Sequence, residues 1–159
     1  MQRMKRQAQR QRSGAVAVEF ALVAPVFLVL LLGMLELGRA FEMQQVLSSA
    51  VREGARFAAM DRDGIVPEND STNNKIINDV RNYLNAAGFP GDLAQIAITE
   101  VDNPNLAFDL DHPANHLRLF RLSAELPFSA VSLVPAHYLP GYQMKAEVVF
   151  RNARSTIVQ

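Results

Sequence analysis

The 159-residue sequence contains no cysteine, which excludes a disulfide framework, a thiolate zinc site and a cysteine nucleophile while leaving the redox compartment open. A Gly-rich phosphate loop, an H-E-x-x-H pattern and a glycine-pivoted calcium loop are absent too. Ser48, Ser49 and Ser129 lack a nearby histidine or lysine pattern that would activate a hydroxyl. The expectation is therefore a protein that is not an enzyme and needs no cofactor and no metal. Net charge is missing as well, since 16 Lys and Arg balance 16 Asp and Glu. That balance conceals a segregation. Arg3, Lys5, Arg6, Arg10 and Arg12 precede Gly14 without a single acid, and the first carboxylate is Glu19. Beyond Gly14, 11 basic side chains face all 16 acids.

From Phe20 to Leu35 the chain reads FALVAPVFLVLLLGML, with no charged or strongly polar side chain. Counting Ala15 to Glu36 as interface brings the stretch to about 22 residues, enough at ~1.5 Å per residue to cross the ~30 Å hydrocarbon layer. A chain of this length has room for one small globular domain, too little to wrap such a helix on all sides. The reading is a single-pass anchor. Lysine and arginine resist translocation, so the basic leader is expected in the cytoplasm and the C-terminal part on the far side, periplasmic or extracellular. The same topology explains the leader better than nucleic-acid binding does. A cleaved secretory signal would end in a small-x-small site, but the run ends in Leu35-Glu36-Leu37-Gly38-Arg39, and Ala15-Val16-Ala17 lies before it. The anchor should persist.

Glu19 is the most informative residue, because an ionised carboxylate in a membrane costs about 2.5–3.5 kcal/mol at the centre and less near the edge. In one reading it sits at headgroup level in the first turns of the helix, favoured by the dipole. The other involves Gly14. Cleavage after Gly14 would remove the leader and create an α-amino group on Ala15, which could pair with Glu19 of a neighbouring chain at low dielectric. A residue expensive in a monomer would then set register in an assembly. The stretch Gly14-Ala15-Val16-Ala17-Val18-Glu19-Phe20 resembles a class III, type IV pilin-type processing site. Extended to Ala59, through Pro25, Glu36-Leu37-Gly38-Arg39-Ala40 and Arg52-Glu53-Gly54-Ala55-Arg56, it resembles the TadE-like family of pseudopilins from tight-adherence (Tad/Flp) pilus systems. The resemblance implies cleavage by a prepilin peptidase after Gly14, a role for Glu19 in recognition or assembly, and a minor part in building a pilus of the type II/IV-related secretion machinery. Other pilin-like or pilus-assembly subunits would be its partners in a hetero-oligomer at the bacterial inner membrane.

Glu36 and Arg39, three apart, can pair where the chain leaves the membrane. Pro25 removes one helical hydrogen bond and should kink the span. Ala17 and Ala21 form a small-xxx-small pair that would admit another helix. Further on, Ala40, Leu47, Ala50, Val51, Gly54, Phe57 and Ala58 recur at three- and four-residue intervals, forming the stripe of a continuing amphipathic helix. Most of it should pack on the chain's own domain, with a partner helix as the competing occupant of its membrane-proximal end. Asp61-Arg62-Asp63-Gly64 and Pro67 are expected to end the helix.

Asn69-Asp70-Ser71-Thr72 reads as an N-cap cluster, followed by Ile76, Ile77, Val80, Tyr83 and Leu84 at helical spacing and stopped by Gly88-Phe89-Pro90-Gly91. The period then changes to two. Phe120, Leu122, Ala124, Leu126 and Phe128 form one alternating set, Met144, Ala146, Val148 and Phe150 another, and Gln95 to Val101 a weaker third. These predict an α+β fold with a mostly antiparallel sheet. Asp109, Asp111, His112 and His116 could ligate a metal, but Pro104, Pro113 and Asn115 mark a solvated polar loop.

The organisation is thus a basic cytoplasmic leader at 1–14, a transmembrane and stalk helix at 15–60 and an exported α+β domain at 61–159. Two functions compete. One is a pseudopilin processed after Gly14; the other is an uncleaved, membrane-tethered binding module. A membrane-bound hydrolase survives only because catalytic residues can be scattered in sequence.

Overall fold

A computed structural model describes residues 2–60, 66, 70–132 and 141–153, with backbone alone for 2–13 and 15. Helix α1 runs over Gln2–Ala58, α2 over Thr72–Ala86, and strands β1, β2 and β3 over Gln95–Glu100, Leu119–Pro127 and Gln143–Arg151. The fold is α+β, as the change of hydrophobic period predicts. Two compact units divide the chain, Met1–Gly38 and Arg39–Gln159.

The first unit is helical and apolar. The described residues contain one helix long and apolar enough to cross a membrane, Val16–Ala58, with mean hydropathy 2.5 in its most apolar window and none of that window buried. Pro25 stands inside it.

The second unit begins with the last turns of α1. There Met43, Leu47, Ala50, Val51, Ala55 and Ala58 are buried, with Ala40, Val46 and Phe57 packed against them. The stripe therefore does cover the chain's own domain, and Met43 and Ala55 join it beyond the positions its spacing singled out. Gly54 permits the approach. A Cβ there would lie 2.8 Å from a Val80 methyl and 3.1 Å from a Leu122 methyl. The helix ends at Ala58, with Ala59 and Met60 in a closing turn. Asp61 to Gly64, Pro67 and Asn69, the expected stop and the first cap residue, lie outside the described residues.

Ser71 caps α2, its side chain accepting from the Asn74 amide at 3.2 Å. Ile76, Val80 and Leu84 are buried at helical spacing, while Tyr83 is exposed. Gly91, in a tight 3-10 turn after the helix, has room for no side chain, because a Cβ would collide with the Arg81 carbonyl.

The sheet is three-stranded and antiparallel in the order β1-β2-β3, with Gln95 opposite Glu125 and Glu100 opposite Phe120, and with Leu119 opposite Arg151 and Pro127 opposite Gln143. Phe120, Leu122, Ala124 and Leu126 of the central strand are fully buried. Two expectations change in detail. Phe128 opens a 3-10 turn just after β2 instead of continuing the strand, yet stays buried. Val148 and Phe150 are only half-buried, because they line an open groove with Ser49, Arg52 and Arg56 of α1, whereas Met144 and Ala146 on the same face are covered. The opposite face carries Lys145, which pairs with Glu125 at 3.0 Å and Glu147 at 3.5 Å. The hydrogen bond to Glu125, and then its charge, raise the Lys145 pKa. That small contribution to stability is present below the ordinary lysine pKa and is lost as pH rises through the folded value.

Two substitutions test the packing through urea denaturation of the full chain in detergent. Gly54→Val should overpack the junction and cost about 1–3 kcal/mol, and Leu122→Ala should leave a cavity worth about 2–5 kcal/mol. Gly38→Ala, where a Cβ would meet nothing within 4 Å, should be neutral or better. Equal effects at Gly54 and Gly38 would contradict this account of the junction.

Candidate functional site

The expected processing and assembly residues lie along one helix, so its phase decides what each can meet. Gly14 is exposed within α1, and a Cβ at that position would touch nothing within 4 Å. The Ala15 side chain lies outside the described residues. Glu19 is exposed, and Phe20 beside it is 72% exposed. Ala17 and Ala21 are exposed too, one turn apart. At about 100° per residue they lie on roughly the opposite side of the helix from Glu19, so the carboxylate and the small pair would address different neighbours. Pro25 contributes no amide hydrogen within the apolar turns. Farther along, Glu36 is nearly buried at 9% exposure, whereas Arg39 is exposed.

The large side chains between these positions are open. Leu22, Val23, Phe27, Leu30 and Met34 are each 58% exposed or more. A helix apolar on all sides and uncovered by its own chain suits hydrocarbon surroundings or a sheath of other helices.

Residues 14–56 match the TadE-like family. The match covers just over a quarter of the chain and begins at Gly14 itself. The apolar helix within the matched segment fits a single-pass membrane protein. No curated protein and no solved structure matches the chain. The TadE-like segment ends in Arg52-Glu53-Gly54-Ala55-Arg56, where Gly54 and Ala55 are buried while Arg52, Glu53 and Arg56 are exposed and Arg56 pairs with Glu53. Its small residues admit α2 and β2, and its charged ones face outward.

The loop with candidate metal ligands is solvated at most positions, Asp109, His112 and His116 included, and is anchored to the domain at a few. Phe108 and Leu110 are buried in the core. The Asp111 carboxylate accepts from the Thr72 amide at 2.8 Å and from the Thr72 hydroxyl, tying the loop to the start of α2. Asp109 accepts from the Asp111 amide at 2.9 Å, and His112 Nδ1 accepts from the Ala114 amide at 3.2 Å. Among the described residues, no group of three or more histidines or carboxylates is placed to hold a metal. Asn152, 1% exposed, donates to the Leu110 and Asn115 carbonyls at 3.1 Å each. The alternation of Phe108 and Leu110 was the available signal of burial; the Asn152 clamp, 37 and 42 residues away from its acceptors, had none.

An open groove of about 340 Å³, lined by residues that include Glu53, Phe57, Asp79 and Tyr83, also went unpredicted. It forms where an exposed Tyr83 stands beside the half-buried Phe57.

Asn152→Leu should unfold the loop, leaving two carbonyls without this donor at about 1–3 kcal/mol each. Asp111→Ala should cost about 1–2 kcal/mol through loss of the α2 contact. Urea midpoints together with amide exchange at Leu110 and Thr72 would check both. Unchanged protection in either variant would contradict the clamp.

Proposed function

We propose that this chain is a minor pseudopilin of a Tad/Flp-type pilus, cut by a prepilin peptidase after Gly14, with a structural role and no catalytic one. The observation that carries the reading is the start of the TadE-like match at Gly14, on an exposed turn directly before an uncovered apolar helix. A peptidase must pull its substrate into an extended form. Glycine within a helix costs roughly 0.5–1 kcal/mol relative to alanine, so Gly14 is a favourable place to unwind.

In this reading the basic leader stays in the cytoplasm, the apolar run spans the bacterial inner membrane and the α+β domain lies outside the cytoplasm. After cleavage, the Ala15 ammonium and the Glu19 carboxylate are charges of opposite sign on neighbouring turns. A second subunit can satisfy Glu19 with its own Ala15 ammonium, which is worth more at the membrane edge than in water. Because Ala17 and Ala21 face away from Glu19, each helix can meet one neighbour through charge and another through close packing. That two-sidedness suits a hetero-oligomeric assembly of pilin-like subunits.

Intact mass of the protein from native membranes, with and without the candidate peptidase, tests the cleavage. A chain beginning at Ala15 only when the peptidase is present is the expected result; an intact leader in cells that make pili would favour the uncleaved tether. Gly14→Arg should block processing. Glu19→Ala should leave membrane insertion intact and reduce pilus assembly by an order of magnitude or more, as counted from surface pili, and normal assembly in both variants would refute the mechanism.

A further inference from the structure

We infer that the C-terminal half of β3 is a strand-addition site, at which an extended segment of a partner protein, apolar at alternate positions and acidic between them, pairs with the sheet edge. The inference concerns the unit Arg39–Gln159 alone and stands whether or not the chain is cut after Gly14. Its basis is the way β3 distributes its backbone groups.

Strand β3 pairs with β2 from Gln143 to Arg151 in one unbroken register. In an antiparallel ladder, alternate residues turn both backbone groups toward the same neighbour. The Tyr142 carbonyl accepts from the Phe128 amide at 2.9 Å, and the Asn152 amide donates to the Arg118 carbonyl at 2.9 Å. Even-numbered positions therefore face β2, and odd-numbered positions face the outer edge. The Lys145 carbonyl agrees with this phase, since it accepts from Gln44 Nε2 of α1 at 3.1 Å. Beyond Lys145 the edge opens. Among the described residues, no hydrogen bond reaches the outward amide or carbonyl of Glu147 or Val149. The backbone devices that blunt an edge are missing, because Gln143–Arg151 holds no proline, no glycine and no bulge. Strand β1 differs, its outer side being bridged by its own following loop between Thr99 and Ala107.

This open edge adjoins a groove of about 500 Å³, lined by residues that include Arg52 and Arg56 of α1 and the half-buried Val148 and Phe150. A strand added to β3 would lie ~4.8 Å away, with every second side chain on the groove side, beside Val148 and Phe150. Apolar residues suit those positions. Charge selects the others. Glu53 is paired with Arg56, and Glu147 with Lys145, whereas Arg52 and Arg151 are exposed and have no ion pair among the described residues. The surplus is positive, so acidic side chains in the added segment are favoured over basic ones. Main-chain bonds along the edge supply the affinity, and the groove and its arginines supply the selection.

The test uses the full chain in detergent micelles and three synthetic peptides: one with valine at alternate positions and glutamate between, the same with lysine for glutamate, and the glutamate peptide N-methylated along its backbone. Titration gives affinity, and amide exchange locates the contact. The glutamate peptide should bind about fivefold more tightly than the lysine peptide and slow exchange at Glu147 and Val149, while the N-methylated peptide should not bind. Val149→Pro removes one outward amide and no bond to β2, so it should abolish binding while Val148 and Phe150 keep their protection. Arg52→Glu with Arg151→Glu should reverse the order of the glutamate and lysine peptides. Equal binding of the N-methylated peptide would overturn strand addition. A preference of the unaltered chain for lysine would overturn the acidic partner, and no binding of the glutamate peptide at millimolar concentration would overturn both. If Val149→Pro loses protection at Val148 and Phe150, the N-methylated peptide and the arginine variant decide the matter.

Discussion

An apolar helix surface that its own chain does not cover is the constraint on which the rest depends. At roughly 25 cal/mol per Å², the open side chains between Phe20 and Leu35 make water a costly environment for this segment. The domain offers little remedy, since its core is filled by the later turns of the same helix together with α2 and the sheet. Membrane residence resolves the conflict, and the five basic residues before Gly14 then acquire a meaning that the neutral total charge hides.

One helix serves two environments by changing its composition along its length. Up to Leu35 large aliphatic and aromatic residues lie all round. From Ala40 onward the buried face narrows to Met43, Leu47, Ala50, Val51, Gly54, Ala55 and Ala58, with Ala40 half-buried at its start and small residues where α2 and β2 come closest. Leu37 and Phe41 lie on a different face and remain 60% and 72% exposed. The TadE-like segment contains both regimes, which explains why one stretch of sequence can specify an anchor and its junction to a folded domain.

What could be read from sequence follows from the range of the interactions involved. The stalk stripe, α2 with its Ser71 cap, and the three strands are written in local periodicity, and they emerge nearly as expected. Their bounds shift where tertiary packing intervenes, as at Phe128. The 102–118 loop is exposed at most positions, as its proline, asparagine and aspartate suggest, but its ties to Asn152 and Thr72, which are distant in sequence, left no local signal. The groove beside β3 was equally hidden: nothing in its alternation says that α1 covers Met144 and Ala146 and leaves Val148 and Phe150 half-open. At the N-terminal site, Gly14 and Glu19 are conspicuous by residue type alone, while the opposed placement of Glu19 and the alanine pair requires the helix to be drawn.

The edges of the sheet limit how copies could join through it. The pairing within one chain makes β1 and β3 parallel to each other, both antiparallel to β2. On β1 the C-terminal half of the outer edge is already taken, where the Ile98 carbonyl accepts from the Phe108 amide and the Glu100 amide donates to the Leu106 carbonyl. Among the described residues only the N-terminal part of that edge is left to a neighbour, and the loop after β1 thus restrains runaway strand addition among crowded copies.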